Sequence, residues 1–227
     1  MRVLRPPHAE RLSLAGPAGP LQALIETAVT EVEGPQPVSA FAVVCHPHPL
    51  YGGTMDNKVV YTVARALEQL GAPAIRFNFR GVGASAGSYD EGRGETADAL
   101  AVIAYGRRRW PHAALWLAGF SFGGAVAVGA AARAGPQRLI AVAPGITTIA
   151  LTDAAPPACP WLIVQGDADE VVPPQAVRAW VDTLSPAPEL RVLHGAGHFF
   201  HGRLNELRDV VLAFMGRHEA VIGGMSA

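Results

Sequence analysis

The chain carries little net charge and few charged residues of either sign. Of its 227 residues, 18 are Lys or Arg and 19 are Asp or Glu, so the formal net charge at pH 7 is -1. Proteins that attract nucleic acid or anionic membranes through their overall field need a marked excess of positive charge. The composition therefore predicts neither nucleic acid nor a membrane surface as a partner.

Long apolar runs and cysteines are also scarce. No apolar run approaches the ~20 residues of a membrane span, and residues 1–8 are not followed by the apolar core of a secretory signal peptide. Cys45 and Cys159 are too few for a disulfide framework and are interpreted as small buried hydrophobic residues. We therefore expect a cytoplasmic protein.

Hydrophobic residues, in contrast, make up 50% of the chain, enough to fill the core of one domain spanning residues 1–227. Segments Arg11–Leu14 and Leu21–Thr30 flank a Gly/Pro-rich turn and predict an antiparallel hairpin. Strand-like segments then alternate with helical ones. The predicted strands are Ala40–Cys45, Ala74–Phe79, Ala114–Ala118, Arg138–Ala143, Trp161–Val164 and Leu190–Leu193; the predicted helices are Lys58–Leu70, Thr96–Arg109, Ala125–Ala134, Gln175–Leu184 and Leu204–Met215. The alternation predicts an α/β fold, with a mostly parallel sheet and helices on both faces.

The segment Gly119-Phe120-Ser121-Phe122-Gly123 lies where an apolar strand runs into a helix of small residues. This context is typical of a nucleophile elbow, a sharp turn that exposes the serine hydroxyl above the edge of the sheet. The N–H of the next residue lies at the positive end of the helix. Ser121 is therefore the candidate nucleophile, and the Phe122 N–H is one candidate oxyanion donor.

A serine hydroxyl needs a base within hydrogen-bond reach and an acid that orients the base. Aspartates follow the strand Trp161–Val164, and histidines follow the strand Leu190–Leu193, both on the side of the sheet where the elbow is expected. The candidate acids are Asp167 and Asp169, and the candidate bases are His194, His198 and His201. The residues alone leave these alternatives open, although His198 lies in the middle of its loop.

The sequence resembles the α/β-hydrolases and, within them, small bacterial members related to dienelactone hydrolases that lack a cap domain. The matching segments are the elbow and residues 45–53, 76–83, 166–169 and 198–202. The resemblance implies an α/β-hydrolase fold without a cap, with Ser121 as nucleophile, Asp169 as acid and His198 as base. Dienelactone hydrolases have a cysteine at the nucleophile position, so serine here argues against that substrate.

The resemblance also implies that the loop after the strand Ala40–Cys45 supplies the second oxyanion donor, a backbone N–H. Pro47 and Pro49 have no backbone N–H, so His48 is the first candidate, and Leu50 and Tyr51 are the next ones. His46 and His48 have no cysteine or carboxylate cluster nearby that would complete a four-ligand site. We therefore expect no metal and no cofactor.

Taken together, the motifs predict a serine hydrolase that cleaves small carboxylic esters through an acyl-enzyme. A thioesterase or small peptidase would use the same residues, and a catalytically silent interaction protein could share the fold. Between Pro144 and Pro160 the chain is too short for a folded cap, although it could line a rim. The carboxylates Asp90, Glu91, Glu95 and Asp98 are interpreted as a solvated loop and the first turn of a helix.

Overall fold

The computed structural model describes residues 8–27, 37–149 and 156–219. The described residues form one eight-stranded sheet in the order β1-β2-β4-β3-β5-β6-β7-β8. The strands are β1 (His8–Gly16), β2 (Gly19–Thr27), β3 (Ala40–Cys45), β4 (Ala74–Phe77), β5 (Ala114–Phe120), β6 (Arg138–Val142), β7 (Trp161–Gly166) and β8 (Glu189–Leu193). The helices are α1 (Lys58–Gln69), α2 (Arg93–Arg109), α3 (Phe122–Ala134), α4 (Pro174–Val181) and α5 (Leu204–Glu219).

The predicted mixture of parallel and antiparallel strands is confirmed. Strands β1 and β2 form the N-terminal antiparallel hairpin, β2 pairs antiparallel with β4, and β3 to β8 run parallel. Residues 28–30, which the sequence placed at the end of the second strand, lie outside the described residues. Strand β4 ends two residues earlier than predicted. The Asn78 N–H still donates to the Gln22 carbonyl of β2, but the Phe79 N–H donates to the His46 ring and so leaves the pairing of the sheet.

The sheet is covered on both faces, which explains why its strands are continuously apolar. On β3, Phe41 and Val43 lie in the core beneath α2, α3 and α4, whereas Ala42 and Val44 lie in the core beneath α1 and α5. Burial on both faces is typical of parallel strands with crossover helices. Within the described residues, no helix is both long and apolar enough to cross a membrane.

Helix α2 begins three residues earlier than predicted because of its N-terminal cap. The carboxylate of Glu95 accepts the N–H groups of Asp90 and Gly92. Asp98 accepts the N–H and the guanidinium of Arg80, at 2.8–3.0 Å. Asp90 is half-buried and Glu91 is exposed in the loop before α2, and Glu95 lies in the first turn of α2, as interpreted. Glu95 and Asp98 are fully buried, and the polar groups around them replace water.

The strand order places the loops after β3 and β5 side by side. Strand β3 pairs with β4 on one side and with β5 on the other, so the chain reverses its direction of winding at β3. Crevices form at such reversals, beyond the carboxyl ends of the strands. The loop that begins at His46 and the turn at Ser121 therefore lie together at this edge of the sheet.

Candidate active site

Ser121 occupies the sharp turn between β5 and α3 with φ 55° and ψ −121°, in the left-handed region that side-chain-bearing residues rarely adopt. Such a conformation costs roughly 1–3 kcal/mol and persists only where surrounding bonds hold it. Here the Ser121 N–H donates to the Val142 carbonyl at 2.9 Å, and the Ser121 carbonyl accepts the Gly145 N–H at 2.8 Å and the Ala125 N–H at 3.1 Å. The turn is thus fixed to β6, to the following loop and to α3.

Two glycines permit the close approach that the turn requires. A Cβ atom on Gly119 would lie 2.0 Å from the Gly123 carbonyl oxygen, and one on Gly123 would lie 2.3 Å from the His46 carbonyl oxygen. Neither neighbour can move away, because both are backbone atoms. The elbow predicted from the Gly-x-Ser-x-Gly pattern is therefore present, with backbone packed against backbone at both glycines.

The structure brings the predicted nucleophile, base and acid into one chain of hydrogen bonds. His198 Nε2 lies 3.0 Å from Ser121 Oγ, and His198 Nδ1 lies 2.8 Å from Asp169 Oδ2. The side chains of His198 and Asp169 are 2% and 0% exposed. A carboxylate at Nδ1 favours the tautomer with the proton on that nitrogen, which leaves the Nε2 lone pair facing the serine hydroxyl.

Asp169 is surrounded by hydrogen-bond donors. Its Oδ1 accepts the N–H groups of Val171 and Val172 at 2.9 and 2.8 Å, and its Oδ2 accepts Gln165 Nε2 at 2.9 Å in addition to His198. Burial alone raises the pKa of Asp169, but the bonds from His198 and the two backbone N–H groups outweigh burial and hold that pKa below its ordinary value. Asp169 is consequently a carboxylate at neutral pH.

Gln165 belongs to no sequence motif, yet its side chain contacts Asp169. Its Nε2 also donates to the Val172 carbonyl at 3.1 Å, while its Oε1 is buried with no hydrogen-bond partner among the described residues. A buried polar atom without a partner costs about 1–3 kcal/mol of stability, and the hydrogen bonds that Nε2 donates oppose this cost. The only signal in the sequence was a glutamine in the otherwise apolar strand before Gly166.

The alternative acid and bases lie elsewhere. Asp167 is exposed and pairs with His194, at 2.8 Å between Oδ2 and Nδ1, and it accepts the Gly195 N–H at 2.6 Å. The hydrogen bond with His194 holds the pKa of Asp167 below its ordinary value. His201 is exposed in the turn before α5. The structure therefore brings Asp169 and His198 to Ser121, and leaves Asp167, His194 and His201 at the surface.

Among the candidate oxyanion donors, two are already engaged. The Leu50 N–H donates to His48 Nδ1 at 3.2 Å, and the Tyr51 N–H donates to the His48 carbonyl at 3.2 Å. The N–H groups of His48 and Phe122 have no acceptor among the described residues. Phe122 is the first residue of α3, where helix N–H groups lack intrahelical partners and carry partial positive charge.

His46 holds the loop that carries His48. Its ring is fully buried; Nδ1 lies 2.6 Å from the Pro47 carbonyl oxygen, and Nε2 accepts the Phe79 N–H at 3.0 Å. These partners require the proton on Nδ1. Among the described residues, no group of three or more His, Cys, Asp or Glu side chains could hold a metal ion. His46 thus ties the start of its loop, as a neutral ring, to the segment that follows β4.

We expect the His46 ring to remain neutral through the physiological range. Burial lowers its pKa to about 4, against the opposing effect of the bond to Pro47. Because an unfolded histidine titrates near ~6.5, the unfolded chain binds more protons between these values, and stability falls as pH drops from ~6.5 towards 4. Histidine ring NMR should show the Nδ1–H tautomer with no titration above pH 5. A ring that charges near pH 6.5 would contradict this assignment.

Comparisons with known proteins agree with this geometry. A family model for the alpha/beta hydrolase fold matches residues 43–155. A serine hydrolase from Xanthomonas campestris, described as having no lid, is 46% identical, with a TM-score of 0.86 over 95% of this chain and 97% of its own. The chain belongs to the α/β-hydrolase family. Its similarity to that serine hydrolase supports hydrolase activity.

Two further relatives place this α/β-hydrolase among similar bacterial proteins. An alpha-beta serine hydrolase homologue from Coxiella burnetii is 46% identical, with a TM-score of 0.83 over 90% of this chain and 96% of its own. An uncharacterised protein of Rickettsia prowazekii is 37% identical over 186 residues, 77% of this chain and 78% of that protein. Between β6 and β7 of this α/β-hydrolase, the described residues 143–149 and 156–160 form no helical cap.

Proposed function

We propose that this protein is a serine hydrolase that cleaves small carboxylic esters through an acyl-enzyme. The observation that carries the proposal is the buried chain from Ser121 Oγ to His198 at 3.0 Å and from His198 to Asp169 at 2.8 Å. A serine, a histidine and an aspartate in this order activate the hydroxyl for attack on a carbonyl carbon. The strained elbow that presents Ser121 supports the same function.

The reaction takes place in two steps. The Oγ atom of Ser121 attacks the ester carbonyl carbon while His198 Nε2 takes the hydroxyl proton; the tetrahedral intermediate then collapses, and His198 gives that proton to the departing alcohol. Water next attacks the acyl-enzyme, again giving its proton to His198, which returns it to Ser121 as the acid leaves. Asp169 holds the imidazole in one tautomer and stabilises its charged form throughout.

The negative oxygen of each tetrahedral intermediate would be stabilised by the N–H groups of Phe122 and His48. Both donors are backbone groups without a protein acceptor among the described residues, so they need not break another bond first. Gly123 keeps the two segments close, because a Cβ on it would lie 2.3 Å from the His46 carbonyl oxygen. Gly53 keeps the loop of His48 folded on itself, because a Cβ there would lie 2.1 Å from the Pro47 carbonyl oxygen. A preorganised pair of this kind is typically worth ~10²–10³ in kcat for each donor.

Labelling by a fluorophosphonate tests this proposal, because the reagent modifies only an activated serine. We expect stoichiometric labelling of Ser121, followed by turnover of p-nitrophenyl acetate by the unlabelled protein. Parallel assays with thioesters and small peptides separate an esterase from a thioesterase or a peptidase. A folded protein that neither labels nor hydrolyses any of these acyl substrates would be a silent member of the family.

We expect kcat/KM on p-nitrophenyl esters to peak at short acyl groups of about two to four carbons. Each methylene buried from water contributes ~0.8 kcal/mol, so a long chain gains only from the part that finds cover. The described residues between β6 and β7 form no helical cap; residues 150–155, part of the predicted rim, lie outside the described residues. A specificity constant that still rises at eight carbons or more would contradict this expectation.

A further inference from the structure

Four aromatic side chains meet beside the proposed oxyanion donors, and we name them the aromatic shelf: His48, Tyr51, Tyr89 and Phe122. The His48 ring is central, with its centroid 4.7 Å from that of Tyr51 and 4.9 Å from those of Tyr89 and Phe122. The centroids of Tyr89 and Phe122 are 5.9 Å apart. The shelf therefore continues without a break from the residue after Ser121 to the surface.

The outer end of the shelf is exposed to solvent. Tyr51 is 87% exposed and its neighbour Leu50 is 66% exposed, whereas His48 and Tyr89 are half-buried and Phe122 is buried. Single exposed apolar residues are common, but large apolar side chains grouped at the edge of a reactive site mark a surface for binding. The short 3₁₀ turn Pro49–Tyr51 presents both residues on the loop that carries the His48 N–H.

The His48 ring is anchored and behaves as a neutral aromatic group. Its Nδ1 accepts the Leu50 N–H at 3.2 Å, which fixes the ring relative to the turn. Burial lowers the pKa of His48, against an opposing effect of the Glu95 charge, so the ring is uncharged at neutral pH. Tyr89 and Phe122 then support it from two other directions. A planar group that reaches this surface meets a face already held in place.

A planar ring is suited to such a surface because one whole face of the ring can lie against the side chains of the shelf. Aromatic pairs at centroid distances of 4.5–7 Å contribute beyond the area they bury, and the rings of the shelf already lie at such distances from one another. An alkyl group of similar volume lacks the π-face and gains only from burial. In a site without a helical cap among the described residues between β6 and β7, this difference favours the aromatic group.

We propose that the aromatic shelf binds an aryl group of the substrate, so that the protein prefers esters carrying an aromatic ring close to the scissile bond. The proposal rests on the proposed ester hydrolysis and adds the substrate class. It assigns to Tyr51 and Tyr89 a role in recognition and none in the chemical step. The ring can belong to the acyl part or to the alcohol part of the ester, and the experiment separates the two.

The test compares matched ester pairs that differ only in whether a six-membered ring is aromatic. Benzyl acetate against cyclohexylmethyl acetate examines the alcohol side, and ethyl phenylacetate against ethyl cyclohexylacetate examines the acyl side. Because the phenyl group also makes each aromatic ester intrinsically more reactive, kcat/KM for every ester is divided by its rate constant for hydrolysis by hydroxide before the members of a pair are compared. We expect kcat/KM to favour the aromatic member of one pair by about 2- to 12-fold, which corresponds to the usual strength of an aromatic contact.

Variants test whether the shelf causes the preference for the aromatic ester. Tyr51→Ala should remove most of it, mainly through KM, and Tyr51→Phe should keep it because the ring remains. Tyr61→Ala is the matched control, since Tyr61 is an exposed tyrosine that packs on Arg76 outside the shelf. Tyr61→Ala should keep the preference and should label with a fluorophosphonate at the wild-type rate.

The outcomes distinguish this proposal from the proposed function. If the wild-type protein hydrolyses all four esters without preferring the aromatic member of either pair, the shelf does not bind an aryl group and the esterase proposal stands. A preference that survives both Tyr51→Ala and Tyr89→Leu would also overturn the role of the shelf. If the protein labels with no fluorophosphonate and hydrolyses none of the four esters, the proposed function itself has failed.

Discussion

Replacing Ser121 with alanine should reduce kcat for p-nitrophenyl acetate on the order of 10⁶-fold and abolish fluorophosphonate labelling. The change removes only the hydroxyl oxygen, whose one hydrogen bond among the described residues is to His198 at 3.0 Å. The backbone bonds that hold the turn do not involve the side chain. The unfolding midpoint should therefore shift by only about 2–4 °C, as expected for the loss of roughly one hydrogen bond in a protein of this size.

Combining this change with His198→Ala provides the control for a shared mechanism. Groups that act as a unit give losses that do not add, so the double variant should be hardly slower than either single one. His194→Ala and His201→Ala should keep most of the wild-type turnover, because both residues lie at the surface. Persistent labelling of Ser121→Ala would mean that another residue is the nucleophile.

Replacing Asp169 with asparagine should lower kcat by ~10⁴-fold while the protein stays folded. Within the part of the chain that the structure describes, every hydrogen-bond partner of Asp169 is an N–H group: those of Val171 and Val172 on one oxygen, and those of Gln165 and His198 on the other. An asparagine amide can accept on only one side. If its NH₂ group faces His198, the imidazole must move its proton to Nε2, and the base no longer presents a lone pair to Ser121.

Asp167→Asn is the matched control, since it makes the same chemical change two residues away. Asp167 is exposed and bonds to His194 and the Gly195 N–H, so its variant should retain turnover near the wild-type value. Steady-state kinetics of the two variants, together with thermal unfolding, decide the assignment. A large loss in Asp167→Asn with little loss in Asp169→Asn would make Asp167 the orienting acid.

The fold could be predicted from the sequence because its signals are local and repeated. Apolar segments with strand length, such as Ala40–Cys45, alternate with helical ones, and a buried parallel sheet requires that pattern. The boundaries were less predictable where long-range bonds set them. Helix α2 begins at Arg93 because Glu95, in its first turn, accepts the Gly92 N–H, and β4 stops short of Phe79 because the Phe79 N–H donates to the His46 ring.

The candidate site was predictable to the extent that its residues follow motifs. The Gly-x-Ser-x-Gly pattern indicated Ser121, while Asp169 and His198 were chosen over their neighbours through resemblance to a family. Gln165 follows no motif, because its contacts depend on how β7 and the loop after it fold back on each other. The aromatic shelf was not predictable from the sequence either, because His48 and Tyr89 are 41 positions apart and meet only in the folded chain.

The left-handed conformation of Ser121 has a consequence for laboratory evolution. Glycine adopts that conformation freely, at an entropic cost of only roughly 0.5–1 kcal/mol, whereas a residue with a Cβ atom pays about 1–3 kcal/mol there. Selection for heat resistance alone would therefore favour glycine at the one position whose hydroxyl the chemistry requires. A directed-evolution experiment for thermostability therefore has to measure turnover in every round, because its most thermostable variants can be the inactive ones.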